Sequence, residues 1–252
     1  MTDSIAFRGS THSRFKQSRA ALTRDVFDSF KATVALRMLF GDALAHVWDS
    51  YKNATETWTD SVGGADATPA FPPEEFFLTV PYEDAVNGHS YPRFDGIKTA
   101  LDATDTDVLD GRSDWCIFAV FKTTNADAYG AIVDKGGQIY VEFSAQAFYV
   151  SGQAGAALDG AITINDDQWH RVIVSVVGNE ATLYVDGVVD ATATMNTLST
   201  GSTDAIRLGG QPGPPDVFDG SILVVGIATI GLGTADVAVL DDILTKWTSG
   251  SF

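Results

Sequence analysis

The stretch Asp166–Asp190, DDQWHRVIVSVVGNEATLYVDGVVD, constrains the fold more than any other part of the chain. Trp169–Val177 alternates and then runs apolar, rich in β-branched residues, which is the pattern of a buried strand. Gly178-Asn179 is a two-residue turn, and Ala181–Val185 is the returning strand. Asp186-Gly187 is the dipeptide a type I′ hairpin prefers, because both central residues need φ > 0. Val188–Thr194 reads as a third strand. Three antiparallel strands joined by tight turns form a meander, and the apolar face of a meander needs a second sheet over it. The expected fold class is therefore all-β, an antiparallel sandwich, with Trp115, Ile117, Trp169, Val172 and Val174 largely inside.

The rest of the chain fits that frame. Trp115–Phe121 is an apolar strand, and Tyr129–Asp134, Gln138–Phe143, Ala147–Val150 and Ala161–Asn165 are shorter ones punctuated by glycine. Ala205–Leu208 and Ser221–Thr229 close the sandwich. Thr234 reads as a helix N-cap, with Asp236 in the first turn and Val237, Leu240, Ile243, Leu244 and Trp247 along one helical stripe. At the other end, Met1–Lys16 reads as an extended arm. Leu22, Val26, Phe30 and Val34 then recur every four residues and share one face of a helix. The expected division is a basic arm and amphipathic helix over residues 1–37 and a sandwich over 38–252. Asp102–Asp114 carries five Asp, but it lacks the glycine and closing glutamate of an EF-hand and reads as a solvated acidic loop. The single cysteine, Cys116, lies inside a strand and reads as a buried hydrophobe.

Several of these segments carry a family resemblance. Gln168-Trp169-His170-Arg171-Val172 followed by Leu183-Tyr184-Val185-Asp186-Gly187 resembles the signature of laminin-G-like domains of the concanavalin A-like superfamily. Tyr91-Pro92-Arg93-Phe94-Asp95-Gly96, Trp115–Phe121 and Phe218-Asp219-Gly220-Ser221-Ile222 resemble its flanking strands. Trp58-Thr59-Asp60, Gly63-Gly64 and Asn87-Gly88 resemble the opening of such domains in phage and bacterial surface proteins. The resemblance spans roughly Phe40–Trp247 and implies a jelly-roll sandwich with an N-terminal arm or helix and a short C-terminal helix. That fold hosts lectins, glycosidases and adhesion modules alike.

Charge is distributed unevenly. Residues 1–37 hold seven Lys/Arg against three Asp, a net of +4, while the remainder holds nine bases and thirty acids, a net of −21. A basic arm on an acidic body points to docking on another acidic or apolar surface, with Arg8, Arg14, Arg19, Leu22, Val26 and Phe30 as the contact residues, while a helix that caps its own sandwich is an equally open reading of the apolar stripe. The acidic body argues against nucleic acid, because phosphate binding needs clustered Lys and Arg. No segment is apolar enough for membrane insertion, and Met1–Ala20 lacks the apolar core of a secretory signal. Laminin-G-like modules usually act outside cells, so the expectation is a virion structural protein released by lysis: a head fibre, spike, decoration or tail-associated subunit. Its expected partners are other virion proteins or sister subunits, in a homo-oligomer, and host-surface polysaccharide.

Catalytic patterns are sparse. Glucanases of this fold carry Glu-x-Asp-x-x-Glu, since retaining hydrolysis needs two carboxyls on one face. None of the six glutamates here stands in that pattern. There is no Gly-x-Ser-x-Gly elbow, phosphate loop or His/Cys metal cluster. The expectation is a protein without enzymatic activity that requires no cofactor, the resemblance implying that sugar binding on such a sandwich can use a calcium ion. Tyr129, Asp134, Tyr149, Asp216 and Asp219, at strand ends and loops, are the expected glycan-binding residues. A bacterial glycan-binding or adhesion module is the alternative, and a glycan-active enzyme a third reading.

Overall fold

The computed structural model describes residues 31–49, 57–69, 82–86, 89–97, 99–104, 107–124, 130–136, 140–144, 147–151, 157–210 and 217–249, with 82–86, 89–90, 140, 142–144, 147–149 and 151 described by backbone alone. The Asp166–Asp190 stretch folds as its turns dictate. β11 (His170–Val177), β12 (Glu180–Val185) and β13 (Val188–Thr194) pair antiparallel in sequence. Gly178 and Asn179 take φ of 56° and 72°, and Asp186 and Gly187 take 51° and 77°. These are the paired left-handed conformations of type I′ turns.

On the other side of β11 lies β6 (Trp115–Lys122), and beyond it β15 (Asp219–Ala228). Along its free edge β15 pairs first with β4 (His89–Asp95), itself hairpinned to β3 (Tyr82–Val86), and then with β1 (Leu44–Asp49). The result is an eight-stranded sheet. A seven-stranded sheet lies over it. Its order is β10 (Leu158–Asp159), β9 (Ala147–Ser151), β8 (Tyr140–Ser144), β7 (Gly130–Asp134), β14 (Ile206–Leu208), β5 (Leu101–Ala103) and β2 (Thr68–Pro69). No strand forms over Ala161–Asn165. Instead Asp190 of β13 accepts hydrogen bonds from the Ala161 and Ile162 N–H groups at 2.8 and 3.0 Å, pinning that segment beside the sheet edge.

Strand alternation decides what each face buries. Trp115, Ile117, Ala119 and Phe121 of β6, with Val172, Val174 and Val176 of β11, enter the core between the sheets. Cys116, Phe118 and Val120 point the other way, into a second apolar layer. A helix over 31–40 (α1) and the helix Thr234–Ser249 (α2) form that layer by lying on the outer face of the eight-stranded sheet. α2 buries Val237, Leu240, Ile243, Leu244 and Trp247, the stripe expected from its sequence. β6 and β15 are thus covered on both faces, and this is why they read as unbroken apolar runs.

Two expectations need adjustment. α1 runs to residue 40, straddling the division expected at Arg37. It buries Ala32, Leu36 and Phe40 on the sheet, while Val34 on the opposite side stays 38% exposed and Met38 83% exposed. The positions expected to precede Val34 on its row, Leu22, Val26 and Phe30, lie outside the described residues, as do Arg8, Arg14 and Arg19. Trp169, expected inside, is only partly buried and belongs to the outer layer. It precedes β11 on the parity of Arg171 and Ile173, which face outward, rather than that of Val172 and Val174.

Candidate functional site

Of the residues expected to touch a glycan, Tyr129 and Asp216 lie outside the described residues. Tyr149 sits in β9 opposite Glu142 and Asp159, and its side chain lies outside them too. Asp134 ends β7 but is fully buried, so it is not placed on a rim as expected. Its strand register puts it beside Arg207 of β14, whose other neighbour is Asp102 of β5. Arg207 donates to both Asp102 oxygens, at 2.6 and 2.8 Å. This bidentate bond, followed by the charges of Asp102 and Asp134, holds the guanidinium above its ordinary pKa despite burial. Asp134 therefore serves a three-strand electrostatic row. Asp219 is accessible but paired, accepting from Arg93 Nη2 at 2.6 Å.

The acidic loop is less free than a solvated loop would be. Asp110 accepts from the Ser202 N–H at 2.9 Å and lies 3.8 Å from the fully buried Lys135 ammonium, which donates to the Asp204 carbonyl at 3.2 Å. Asp114 accepts from the Gly178 N–H at 2.8 Å. These bonds fasten the loop to the neighbouring turns. Among the described residues no group of three or more His, Cys, Asp or Glu converges to hold a metal ion, and no helix is long and apolar enough to cross a membrane.

Polar residues gather at the end of the sandwich where β11 begins. His170 is sandwiched between two carboxylates, with Nδ1 2.7 Å from Asp186 and Nε2 2.9 Å from Asp166. Asp186 also accepts from the Arg171 N–H at 2.9 Å, and Arg171 Nε donates to Asp241 of α2 at 2.7 Å. The chain connects the loop before β11, the hairpin turn and α2. The bond to Asp186 and then that to Asp166 raise the imidazole above its ordinary 6.5, against the opposing effect of burial. Burial pushes the Asp186 carboxyl up, but His170 and Arg171 outweigh it and hold the group below 3.8; the His170 bond likewise lowers Asp166.

The signs define a pH window. A raised His contributes stability that is complete below 6.5 and lost as pH rises through its folded value. The lowered carboxyls contribute above 3.8 and lose their contribution as pH falls through theirs. The melting temperature should therefore decline as pH is raised from about 6 to about 9, and His170→Gln should flatten that decline. A slope unchanged in the variant would mean that another group is responsible. With a carboxylate on each ring nitrogen, His170 fastens the loop before β11 to the hairpin turn.

Next to this cluster, strand register sets three side chains in a row across the outer face of the eight-stranded sheet. Ser221 of β15 pairs with Arg93 of β4 on one side and Lys122 of β6 on the other. Together with Thr123, Thr124, Asp167 and Gly220 they line a cavity of about 170 Å³. Lys122 Nζ lies 5.7 Å from the centre of the Trp169 ring and 3.4 Å from Asp167, and Tyr91 meets Trp169 edge-on at 5.1 Å. A wider cleft of about 590 Å³ lies against Gly111–Asp114 and Thr229–Gly231.

A model of the concanavalin A-like lectin/glucanases superfamily matches residues 95–238, more than half of the chain. The chain belongs to this superfamily. The matched range takes in β5 to β15, the meander included. No curated protein matches in sequence. Among solved structures, domain 4 of AbnA, a GH43 extracellular arabinanase from Geobacillus stearothermophilus in complex with arabinotriose, matches at 18% identity and a TM-score of 0.61. The match covers 79% of this chain and 97% of that one. Trypanosoma rangeli sialidase in complex with a difluoro-nononic acid matches at 14% identity and a TM-score of 0.58, over 81% of this chain and 33% of that one. The chain thus spans only a third of the sialidase. The binding domain of Paraclostridial mosquitocidal protein 1 matches at 10% identity and a TM-score of 0.61, over 79% of this chain and 52% of that one. At these identities the likeness is one of fold, and two of these neighbours, the arabinanase and the sialidase, are glycan-active enzymes.

Proposed function

We propose that this superfamily member is a non-catalytic saccharide-binding module. One observation carries the reading. The described sandwich corresponds to nearly the whole of domain 4 of the arabinanase, a domain that holds an arabinose oligosaccharide, and to only a third of the sialidase. The sandwich matches the extent of a whole domain that is found with a bound oligosaccharide. The acidic residues at the described site support the same reading, since they are engaged in bonds to Arg, His and backbone N–H groups rather than arranged as an open carboxylate pair.

The finer proposal is that the module rides on an assembled particle, a virion, and meets host-surface polysaccharide. Its support is the basic segment 1–37 on an acidic body and the outward side of α1, where Val34 and Met38 are left to solvent. A bacterial adhesion module is the second reading, favoured by the bacterial sources of the arabinanase and mosquitocidal-protein domains. Incubating the purified protein with host polysaccharides should release no reducing sugar. Release that persists through purification and vanishes on substitution of one acidic residue would make it an enzyme. Detection of the chain by mass spectrometry in gradient-purified virions would select the virion reading, and its presence only on the bacterial surface would select the other.

A further inference from the structure

The Arg93–Ser221–Lys122 row is unusual in its setting. Outside residues 1–37 the chain has nine Lys and Arg against thirty acids, yet two of the nine stand on alternate strands facing one small cavity. Two strand spacings place their Cα atoms about 10 Å apart, a gap that two long cationic side chains can close on a single oxyanion. The helices cover the outer face over the middle of β6, β11 and β15. At this end the covering stops at Tyr91 and Trp169, and the two cations reach water on either side of the buried Ser221: the Arg93 side chain is 32% exposed and that of Lys122 27%.

The anions already present differ in kind. Asp219 meets Arg93 at 2.6 Å from within the same sheet and is part of the framework. Asp167 stands on the loop before β11, its side chain 62% exposed, and reaches Lys122 only to 3.4 Å. An exposed pair at that distance is weak. Thr123 and Ser221 also line the cavity but are 2% and 1% exposed, and Thr123 Oγ1 donates to the Asp219 carbonyl at 2.6 Å. The body's net negative charge repels an anion at long range, but that repulsion is screened beyond about 8 Å at physiological ionic strength, leaving local cations to decide binding.

Resting on the saccharide-binding reading, we propose that this cavity binds the acidic group of an anionic saccharide, a uronate carboxylate or a sulfate ester, with Lys122 and Arg93 as its cationic contacts and Asp167 as the side chain it displaces. Asp167 acts as a competing internal anion that lowers affinity until a better-placed oxyanion arrives.

The test is calorimetric titration of the intact protein with three oligosaccharides of matched length: oligogalacturonate, a sulfated galactan oligomer and a neutral arabinan oligomer. Acidic oligomers should bind, and the better of the two identifies the acidic group. Lys122→Gln should weaken that binding roughly tenfold, the loss of one charge-assisted contact. Asp167→Asn should strengthen it several-fold while leaving the fold intact. If the neutral oligomer binds and the acidic ones do not, or if neither substitution changes the acidic affinity, the cavity assignment falls while saccharide binding stands. If no oligomer binds, both fall.

Discussion

Asp60→Ala should lower the unfolding free energy by about 3–5 kcal/mol, the cost of leaving buried donors without their acceptor. The Asp60 carboxylate is buried, organises the loop closed by the Trp58–Ala67 bridge and ties it to β1. It accepts from the N–H groups of Val47, Val62, Gly63 and Ala65, each at 3.0 Å, and from His46 Nδ1 at 2.7 Å. Burial pushes this carboxyl up, but the His46 bond and the Val47, Val62 and Ala65 amides outweigh it and bring it from 3.8 down to about 2. The lowered value contributes about 2 kcal/mol, present above pH 3.8 and lost as pH falls toward 2. Urea unfolding at neutral pH measures the variant's loss. A midpoint unchanged in Asp60→Ala would show that these bonds do not hold the loop.

The second large effect separates two tryptophans that look alike in sequence. Trp115 is 1% exposed and lies between the sheets. Trp115→Ala should cost roughly 3–5 kcal/mol, a large-to-small change at a site that cannot collapse. Trp169 is half-buried at the rim against Tyr91 and Lys122, and Trp169→Ala should cost roughly 1–2 kcal/mol, in keeping with the smaller apolar area returned to water. Equal losses in the two variants would place Trp169 in the core after all.

That contrast shows where sequence reading succeeds and where it stops. The meander was legible because its two turns, Gly178-Asn179 and Asp186-Gly187, are chemically specific and its strands are long. The α2 stripe was legible because Val237, Leu240, Ile243, Leu244 and Trp247 repeat at helical spacing. β2, β5 and β10 were missed because strands of two or three residues carry no period of their own and exist only through pairing with distant partners. Trp169 was misplaced because it lies an odd number of residues from Val172 and Val174, so strand alternation puts it on the opposite face, with Ile173.

The candidate site was less legible still. Asp134 looked like a strand-end binding residue, and only the pairing of β7 with β14 reveals that it faces Arg207. The Arg93–Ser221–Lys122 row joins residues from three separate segments, and no local pattern announces it. Its signal in sequence was indirect: Arg93 precedes the Phe94-Asp95-Gly96 strand end, and Ser221 follows the similar Phe218-Asp219-Gly220, so matching ends of paired strands bring them together.

The central claim is that this sandwich binds saccharide without cleaving it. The most direct measurement is a glycan array probed with the intact protein, followed by chromatography of each bound oligosaccharide after prolonged incubation. The account predicts saturable binding to a restricted set of glycans, each recovered at its original length. Binding to none of them, or recovery of shortened products, would contradict it.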